Sequence, residues 1–217
     1  MERPFQERLT KSIREAAKKL LPEAVIRELR QLQAYDRHER KIYVKLRALS
    51  GLAMTNPKTT RAPKTTRRFL FVCFGNIMRS PMCEALMNQE LAGFNNPQFS
   101  VSSAGLNATP GRPAHPWAIG AAPEFGVSLE QHRARLVTQQ AVDRADAIFV
   151  MDCQNQVQLL ARWATARDKV FMLAAYAGRE YRSVEIPDPY YLGEEQTRVC
   201  YQTLYTCIHN LALRLAD

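Results

Sequence analysis

The sequence lacks any uninterrupted apolar run of the roughly 18 residues that a membrane-spanning helix requires. Its first residues, MERPFQERLT, also lack the apolar core of a secretory signal peptide. Glu2, Glu7 and Glu15 fit poorly with the acid-poor presequences that direct proteins to mitochondria, although a basic, amphipathic N-terminus leaves that alternative open. We therefore expect a cytoplasmic protein.

Paired cysteine motifs are missing as well. The five cysteines are odd in number and include no Cys-x-x-Cys pair, which argues against a disulfide framework and against a zinc site. We expect the thiols to be reduced. The sequence shows no DNA- or RNA-binding motif and no internal repeat, so we expect no nucleic-acid partner.

Positive charge is concentrated in the first third of the chain. Residues 1–68 contain 18 Lys and Arg against 7 Asp and Glu, whereas the remaining residues contain 12 against 14. The formal net charge of +9 therefore comes from the first 68 residues. An acidic partner, if there is one, would bind there.

The basic segment has helical spacing over residues 4–50. A second helix is predicted from about Glu23 to Leu49, after Pro22 and before Ser50-Gly51. The first helix is predicted from an apolar stripe made of Phe5, Leu9, Ile13, Ala16 and Leu20.

The stretch TNPKTTRAPKTTRR, residues 55–68, has no apolar period and is rich in Thr, Pro and basic residues, which predicts a linker. We therefore expect a basic amphipathic helical extension at residues 1–54, the linker, and one domain at residues 69–217. Three roles remain open for the extension: contact with an anionic membrane surface, docking to a protein partner, or no dedicated partner.

After the linker, short apolar runs alternate with helical stretches. This alternation predicts an α/β domain with three layers, in which helices flank a four-stranded parallel sheet and the strand ends share one edge. The predicted strands are residues 69–72, 99–101, 147–151 and 170–173, and the predicted helices are residues 81–92, 115–126, 154–163 and 195–215.

The first strand of this domain leads directly into CFGNIMRSP, which places Cys73 at a strand end and Pro81 in the first turn of a helix. The backbone N–H groups of such a turn and the positive end of the helix dipole favour an anion, and Gly75 permits the tight loop. The same field stabilises the thiolate of Cys73, which is the nucleophilic form of cysteine.

Other residues of this loop complete a phosphate site. Arg79 offers a planar fork of donors that matches two phosphate oxygens, and Ser80 can donate a hydrogen bond to the sulfur when it leaves. Asn76 tolerates left-handed backbone and can hold the loop with its side chain. The Cys-x5-Arg spacing is weak by itself, but its position between a strand and a helix argues against a buried structural cysteine.

This loop resembles that of the low-molecular-weight protein-tyrosine-phosphatase family, which has the pattern Cys-x-Gly-Asn-x-Cys-Arg-Ser-Pro. The matching residues are Cys73, Gly75, Asn76, Arg79, Ser80 and Pro81. The resemblance continues through VSSAG (101–105), GRPAHP (111–116), FGVSLEQHRAR (125–135), FVMD (149–152) and IPDPYY (186–191), and it covers residues 69–217.

The resemblance implies that Asp188 is the general acid that protonates a tyrosine leaving group and then activates water. Tyr190 and Tyr191 would form an apolar wall against the phenyl ring. Ser103 and His132 would support Asn76 through hydrogen bonds. No metal and no cofactor are expected, because the loop amides and Arg79 neutralise the phosphate. The residues expected to contact substrate are Phe74, Gly75, Asn76, Ile77, Met78, Ser80, Tyr190 and Tyr191.

Three departures from the family pattern and one variable loop position bear on function. Met78 replaces the second loop cysteine, so a disulfide from Cys73 to that position is impossible. In the related protein-arginine phosphatases, the position equivalent to Ile77 looks like Thr. The branched apolar side chain of Ile77 therefore favours phosphotyrosine over phosphoarginine as the substrate. The segment SAGLNATPG lacks an aromatic residue that some relatives place on the pocket wall, and His115 stands where Asp often precedes the proline.

Three further functions are compatible with the same fold. A thioredoxin-linked arsenate reductase needs two further cysteines, and Cys153 has no partner within ten residues. A protein-arginine phosphatase and a catalytically silent phosphotyrosine-binding module also remain open. By resemblance alone, a bacterial setting is expected, with a tyrosine kinase or a regulator of polysaccharide export as substrate.

Overall fold

The structure is a computed structural model that describes residues 32–51, 61–93 and 99–216. The chain divides into two compact units, residues 1–44 and 45–217. The apolar stripe predicted between residues 5 and 20, and residues 55–60 of the predicted linker, lie outside the described residues.

A capping box at Asp36 interrupts the helix that the sequence predicted to run from about Glu23 to Leu49, and that prediction is therefore wrong. The Oδ1 atom of Asp36 accepts hydrogen bonds from the backbone N–H groups of His38 and Glu39 at 2.7 and 2.8 Å. In return, Glu39 Oε2 accepts the N–H of Asp36 at 3.1 Å. These bonds satisfy donors that the start of a helix leaves unpaired, so a new helix, α1, begins here (Arg37–Gly51).

The second unit contains a four-stranded parallel sheet with the order β2-β1-β3-β4, which confirms the predicted fold class. Strand β1 is central, and only its first residue is exposed. Both faces of a parallel strand are covered by helices, which explains its continuous apolar run. The strands are β1 (Arg68–Cys73), β2 (Ser100–Gly105), β3 (Ala147–Val150) and β4 (Val170–Met172).

Residues 32–34 are also helical, before the break at Asp36. The helices of the second unit whose bounds lie within the described residues are α2 (Arg79–Ala92), α3 (Pro116–Ala121), α4 (Gln139–Arg144), α5 (Cys153–Arg162) and α6 (Glu194–Ala216). Three 3-10 helices follow α3, α5 and β4, at Ala122–Phe125, Ala164–Lys169 and Leu173–Tyr176. The sequence did not predict α4, because six residues carry too little periodicity to stand out from a loop.

The order of the strands determines where a ligand can bind. The chain moves from β1 through α2 to β2 in one direction along the sheet, and from β3 through α5 to β4 in the other. Right-handed crossovers then place α2 and α5 on opposite faces. The direction changes between β1 and β3, and the crevice outside the carboxyl ends of two such strands is the usual ligand site of an open α/β sheet.

The core beneath this crevice is aromatic and well buried. Phe71 and Phe149 stack across β1 and β3 with ring centroids 5.3 Å apart, and both are inaccessible to solvent. On α6, the buried Tyr201 donates its hydroxyl to the Met78 carbonyl at 3.2 Å, which ties this helix to the loop after β1. Among the described residues, no helix is both long and apolar enough to cross a membrane.

Candidate active site

The loop between β1 and α2 directs hydrogen-bond donors at the sulfur of Cys73. The Sγ atom accepts the backbone N–H of Asn76 at 3.3 Å and lies 3.0 Å from Ser80 Oγ. Ser80 Oγ accepts a hydrogen bond from Asn76 Nδ2 at 2.9 Å, so its own proton points to an acceptor, either the sulfur at 3.0 Å or the Ala104 carbonyl at 3.4 Å. Donors fixed in this way stabilise negative charge on the sulfur, both in a free thiolate and when the sulfur departs.

Asn76 connects the loop to two other segments. Its φ of 52° lies in the left-handed region, where an asparagine is tolerated better than most residues. Its Nδ2 donates to Ser103 Oγ at 2.8 Å, and its Oδ1 accepts the N–H of Arg135 at 2.7 Å. Its carbonyl lies 2.8 Å from Nε2 of His132, so this nitrogen is the donor. The hydrogen bonds expected from Ser103 and His132 are thus present, and their importance for catalysis is a proposal.

Glu84 and Arg135 extend this network, and the sequence did not predict either residue. Glu84 Oε2 accepts a hydrogen bond from Ser103 Oγ at 2.5 Å and forms an ion pair with Arg135 Nη2. Arg135 Nε also donates to the Ser103 carbonyl at 3.1 Å. Asn76 is therefore held through Ser103 by a charged pair.

The guanidinium of Arg79 is almost fully buried, with a relative exposure of 1%. Its Nη1 donates to Asp152 Oδ2 at 2.6 Å and to the Ile186 carbonyl at 3.0 Å, and its Nη2 donates to Asp188. Burial alone would lower the pKa of Arg79, but the charges of Asp152 and Asp188 outweigh it and raise the pKa. The arginine therefore stays charged at any working pH.

One donor of Arg79 remains available for a ligand. Its Nε is buried and has no hydrogen-bond partner in the protein. Buried donors without partners are uncommon, because each costs about 1–3 kcal/mol. A phosphate oxygen at the mouth of the loop would satisfy Nε and compete with Asp188 for Nη2.

The loop after Ile186 forms one side of the site. Asp188 Oδ1 accepts the backbone N–H of Tyr190 at 3.2 Å, and the Asp188 side chain is 42% exposed, so a ligand can reach it. The ring centroids of Tyr190 and Tyr191 lie 4.7 Å apart at an interplanar angle of 88°. Arg112 Nη2 donates to the Tyr190 hydroxyl at 3.3 Å.

These groups surround a cavity of about 390 Å³. Three of its lining residues, Asn107, Thr109 and Arg112, were not predicted as site residues. Asn76, Ser80, Ser103 and His132 are not among the lining residues, and their contacts place them behind the loop. The predicted residues that line the cavity are Cys73, Phe74, Gly75, Ile77, Met78, Arg79, Asp188, Tyr190 and Tyr191. A larger groove, of about 790 Å³, includes His132 and Arg135 but not Cys73.

Asp152 is a further site residue that was not predicted from the sequence. It lies two residues after β3, at the same edge of the sheet as Cys73, and besides pairing with Arg79 it accepts the N–H of Asn155 at 2.7 Å as the N-cap of α5. The motif FVMD contained this residue. An acidic side chain after a buried strand, beside a strand that ends in a nucleophile, was the indication available in the sequence.

The other four cysteines are held as neutral thiols. Burial raises the pKa values of Cys153, Cys200 and Cys207 to about 12, and that of Cys83 well above the usual value. Such thiols stay protonated and are poor nucleophiles, which does not suit the relay of an arsenate reductase. Among the described residues, no group of three His, Cys, Asp or Glu side chains could hold a metal ion.

Comparison with known proteins agrees with this geometry. The chain is 39% identical over 124 residues to the probable low molecular weight protein-tyrosine-phosphatase EpsP of Ralstonia nicotianae, covering 57% of this chain and 79% of EpsP. It is 34% identical over 148 residues to the low molecular weight protein-tyrosine-phosphatase Wzb of Escherichia coli K12, covering 68% and 92%. Among solved structures, the YwlE arginine phosphatase of Geobacillus stearothermophilus is similar, with a TM-score of 0.61, 31% identity, and coverage of 69% of this chain and 93% of YwlE.

The sequence model of one family, described as low molecular weight phosphotyrosine protein phosphatase, matches residues 68–217. This match confirms the resemblance that the loop predicted and the phosphatase class of the enzyme. The chain therefore belongs to the low molecular weight phosphotyrosine protein phosphatase family.

Proposed function

We propose that the protein hydrolyses phosphotyrosine in proteins through a phosphocysteine intermediate, with Cys73 as nucleophile, Arg79 as phosphate clamp and Asp188 as general acid and base. One observation carries the proposal: the cavity holds a cysteine whose sulfur has hydrogen-bond donors at 3.0 and 3.3 Å, a buried arginine and an accessible carboxyl group. Together they provide attack, charge neutralisation and proton transfer.

In the first step, the Cys73 thiolate attacks phosphorus and the bond from phosphorus to the tyrosine oxygen breaks. The phosphoryl oxygens bind the loop N–H groups and Arg79, including its unpartnered Nε. Protonated Asp188 gives its proton to the departing phenolic oxygen, so the product leaves as a neutral tyrosine. Substrate binding must first displace Asp188 from Arg79, with which it pairs in this structure.

In the second step, the Asp188 carboxylate removes a proton from water, and the water oxygen attacks phosphorus. The bond between sulfur and phosphorus breaks, inorganic phosphate forms, and the sulfur leaves as a thiolate. Ser80 stabilises this leaving thiolate by donating its hydroxyl, which lies 3.0 Å from Sγ. No metal ion or cofactor is required in either step, since amides and Arg79 compensate the charge.

Ile77 and the tyrosine pair favour phosphotyrosine as the substrate. Ile77, Tyr190 and Tyr191 all line the cavity and offer apolar surface to a phenyl ring. A phosphoarginine side chain would instead bring a polar guanidinium against the branched apolar Ile77, where its N–H groups would lose water without gaining a partner.

Phosphoarginine is the second candidate, because the structural likeness to an arginine phosphatase covers 69% of this chain. The test compares a phosphotyrosine peptide, a phosphoarginine peptide and arsenate, without added metal, in the wild type, Cys73→Ser and Asp188→Ala. We expect turnover of phosphotyrosine by the wild type, none by Cys73→Ser, and a decrease of about 10²–10⁴-fold for Asp188→Ala. If the wild type turns over phosphoarginine or arsenate but not phosphotyrosine, that compound replaces phosphotyrosine as the proposed substrate. Inactivity on all three would favour the silent binding module.

The names of EpsP and Wzb describe both relatives as protein-tyrosine-phosphatases. We propose by analogy that the substrate is a phosphorylated bacterial tyrosine kinase or a regulator of polysaccharide export in the cytoplasm. Incubation of an autophosphorylated kinase of that class with wild type and Cys73→Ser tests this. The analogy fails if the kinase keeps its phosphotyrosine under conditions in which the peptide is hydrolysed.

We propose that the basic N-terminal extension, residues 1–54, and the linker at 55–68 recruit the domain to an acidic partner, which is either a protein or an anionic membrane. The described helix α1 supports this with five Lys and Arg at positions 37, 40, 41, 45 and 47 against one acidic residue, Glu39. Flotation of the full chain and of a chain starting at Arg67 on vesicles with anionic lipids separates the two. Flotation of the full chain alone indicates a membrane, whereas failure of both excludes the membrane and leaves a protein partner or no dedicated partner.

A further inference from the structure

His115 connects the phosphate-binding loop, helix α3 and the aromatic wall, although it belongs to none of the groups that act on phosphate. Its ring centroid lies 5.3 Å from that of Tyr190 at an interplanar angle of 68°, and 4.7 Å from that of Trp117. An edge-to-face arrangement of this kind is one that aromatic rings prefer. The Tyr190 ring is therefore supported from behind by the ring of His115.

The second contact of His115 fixes the orientation of its ring. His115 is the N-cap of α3, and its Nδ1 accepts the backbone N–H of Trp117 at 3.2 Å. This bond requires an unprotonated Nδ1, so the ring is neutral and carries its proton on Nε2. Burial, and next the charge of Arg112, lower the pKa of His115, which agrees with a neutral ring.

A third contact joins His115 to the loop itself. Its backbone N–H donates to the Ile77 carbonyl at 2.9 Å. Because this bond uses the main chain, it persists whatever the side chain at position 115. The side chain can therefore be changed while the loop keeps this anchor.

Tyr190 in turn holds the general acid. Its backbone N–H donates to Asp188 Oδ1 at 3.2 Å, and its ring packs on Tyr191. A displacement of Tyr190 would therefore alter both the apolar wall and the position of Asp188. Inorganic phosphate, which reaches only the loop and Arg79, would not sense the wall.

We propose that His115 is a positioning residue for phosphotyrosine: its ring, held by the cap to Trp117, supports Tyr190 and so determines how well the cavity binds the phenyl ring of the substrate. This inference rests on the proposed phosphotyrosine activity. An aspartate at this position would supply the cap without the ring. The structure thus assigns a substrate-binding contribution to the histidine side chain that a capping residue alone would not provide.

The two contributions of the side chain can be separated by substitution. His115→Asn keeps a good N-cap but removes the ring, whereas His115→Phe keeps a ring but removes the cap. We expect His115→Asn to raise the KM for a phosphotyrosine peptide about threefold to tenfold. We expect His115→Phe, whose ring lacks the cap that orients it, to lower the urea midpoint and to raise KM less than His115→Asn does.

Two further measurements show whether the effect passes through Tyr190. The inhibition constant of inorganic phosphate should be the same in His115→Asn and the wild type. In a Tyr190→Ala background, His115→Asn should no longer change KM, because the contact it removes is already absent.

Any one of three results would overturn the inference. The first is an unchanged KM in His115→Asn, and the second is an equal increase in KM when His115→Asn is added to Tyr190→Ala. The third is a parallel rise in the inhibition constant of inorganic phosphate. Failure of the wild type to hydrolyse the peptide would be a different result, since it contradicts the proposed function itself. In that case, the dissociation constant of a phosphotyrosine peptide is measured for Cys73→Ser and for Cys73→Ser combined with His115→Asn. The inference predicts that His115→Asn raises this dissociation constant about threefold to tenfold.

Discussion

The Asp152 carboxylate, which does not line the cavity, holds the Arg79 guanidinium through the 2.6 Å hydrogen bond from Nη1 to Oδ2. Asp188 pairs with the neighbouring Nη2 from the cavity side. The two acids differ in what they can do: Asp152 is also fixed by its cap of α5, whereas Asp188 is exposed enough to move when substrate binds. Asp152 therefore keeps Arg79 oriented while Asp188 changes partners.

Asp152→Asn should impair catalysis without unfolding the domain. Asparagine is as good an N-cap as aspartate, so α5 keeps its start, but the charge that holds Arg79 is lost. A misplacement of about 1 Å can lower the rate about 10²-fold, and we expect a loss of that order in kcat/KM for a phosphotyrosine peptide. Glu124→Gln, which removes an exposed partner of Arg198, is the matched control and should keep wild-type kinetics. Equal kinetics for Asp152→Asn and wild type would contradict the role of Asp152.

Gly105→Ala should displace the loop between β1 and α2. A Cβ atom at Gly105 would lie 2.8 Å from three backbone atoms of the loop: Asn76 N, Gly75 C and Phe74 O. Backbone atoms cannot swing aside as a side chain can, so the loop must shift. We expect a loss of about 1–3 kcal/mol in the free energy of unfolding, measured in urea, together with a decrease in kcat.

Gly120→Ala is the control for this substitution. Gly120 lies within α3, and the nearest atom to a Cβ there is Glu194 Oε1 at 4.0 Å. Alanine should fit without strain and stabilise the helix by up to about 1 kcal/mol. A Gly105→Ala protein as stable and active as Gly120→Ala would show that the loop accommodates the methyl group.

Some features of the site follow from local sequence patterns, whereas others arise only where distant segments meet. Strand β1, Cys73 and Arg79 follow from a local pattern, and the predicted fold and family are confirmed. The need for glycine at position 105 arises only from the approach of β2 to a loop about 30 residues earlier, and the Asp152–Arg79 pair only from the pairing of β1 with β3. Contacts between distant segments leave no periodicity in either segment.

A local capping interaction explains why the prediction of one helix from about Glu23 to Leu49 is wrong. The apolar spacing across residues 23–49 suggested one helix, but the Asp36 side chain bonds N–H groups of its own segment and begins a second helix. The Asp-x-x-Glu pattern at Asp36 and Glu39 was visible in the sequence.

The stability of the domain should depend on pH through His132. Burial is the main cause that lowers the pKa of His132, and the hydrogen bond to Asn76 opposes it only in part. A histidine with a lowered pKa in the folded state binds its proton more readily when the chain is unfolded. Stability is therefore full above the unfolded pKa, near 6.5, and is lost as the pH falls below it.

His132→Gln removes this proton uptake. Between pH 7.5 and pH 5.5, the free energy of unfolding should fall less in His132→Gln than in the wild type, as measured by urea titration at both values. His38→Gln, at an exposed position in α1, serves as the control for loss of a histidine. If the free energy of unfolding falls as much in His132→Gln as in the wild type, the pH dependence comes from other groups.

Met78 should make peroxide inactivation difficult to reverse. Peroxide converts the Cys73 thiolate to a sulfenic acid, and a second thiol can condense with it to a disulfide and water, which protects the sulfur from further oxidation. Met78 occupies the loop position at which many relatives have that thiol, and the other cysteines have raised pKa values that keep them protonated. Sulfenic acid should therefore proceed to the irreversible sulfinic acid. After a brief peroxide dose and then excess dithiothreitol, we expect wild type to regain little activity and Met78→Cys to regain most of it. Full recovery of the wild type, with a disulfide found by mass spectrometry, would identify one of the buried cysteines as a resolving thiol despite its raised pKa.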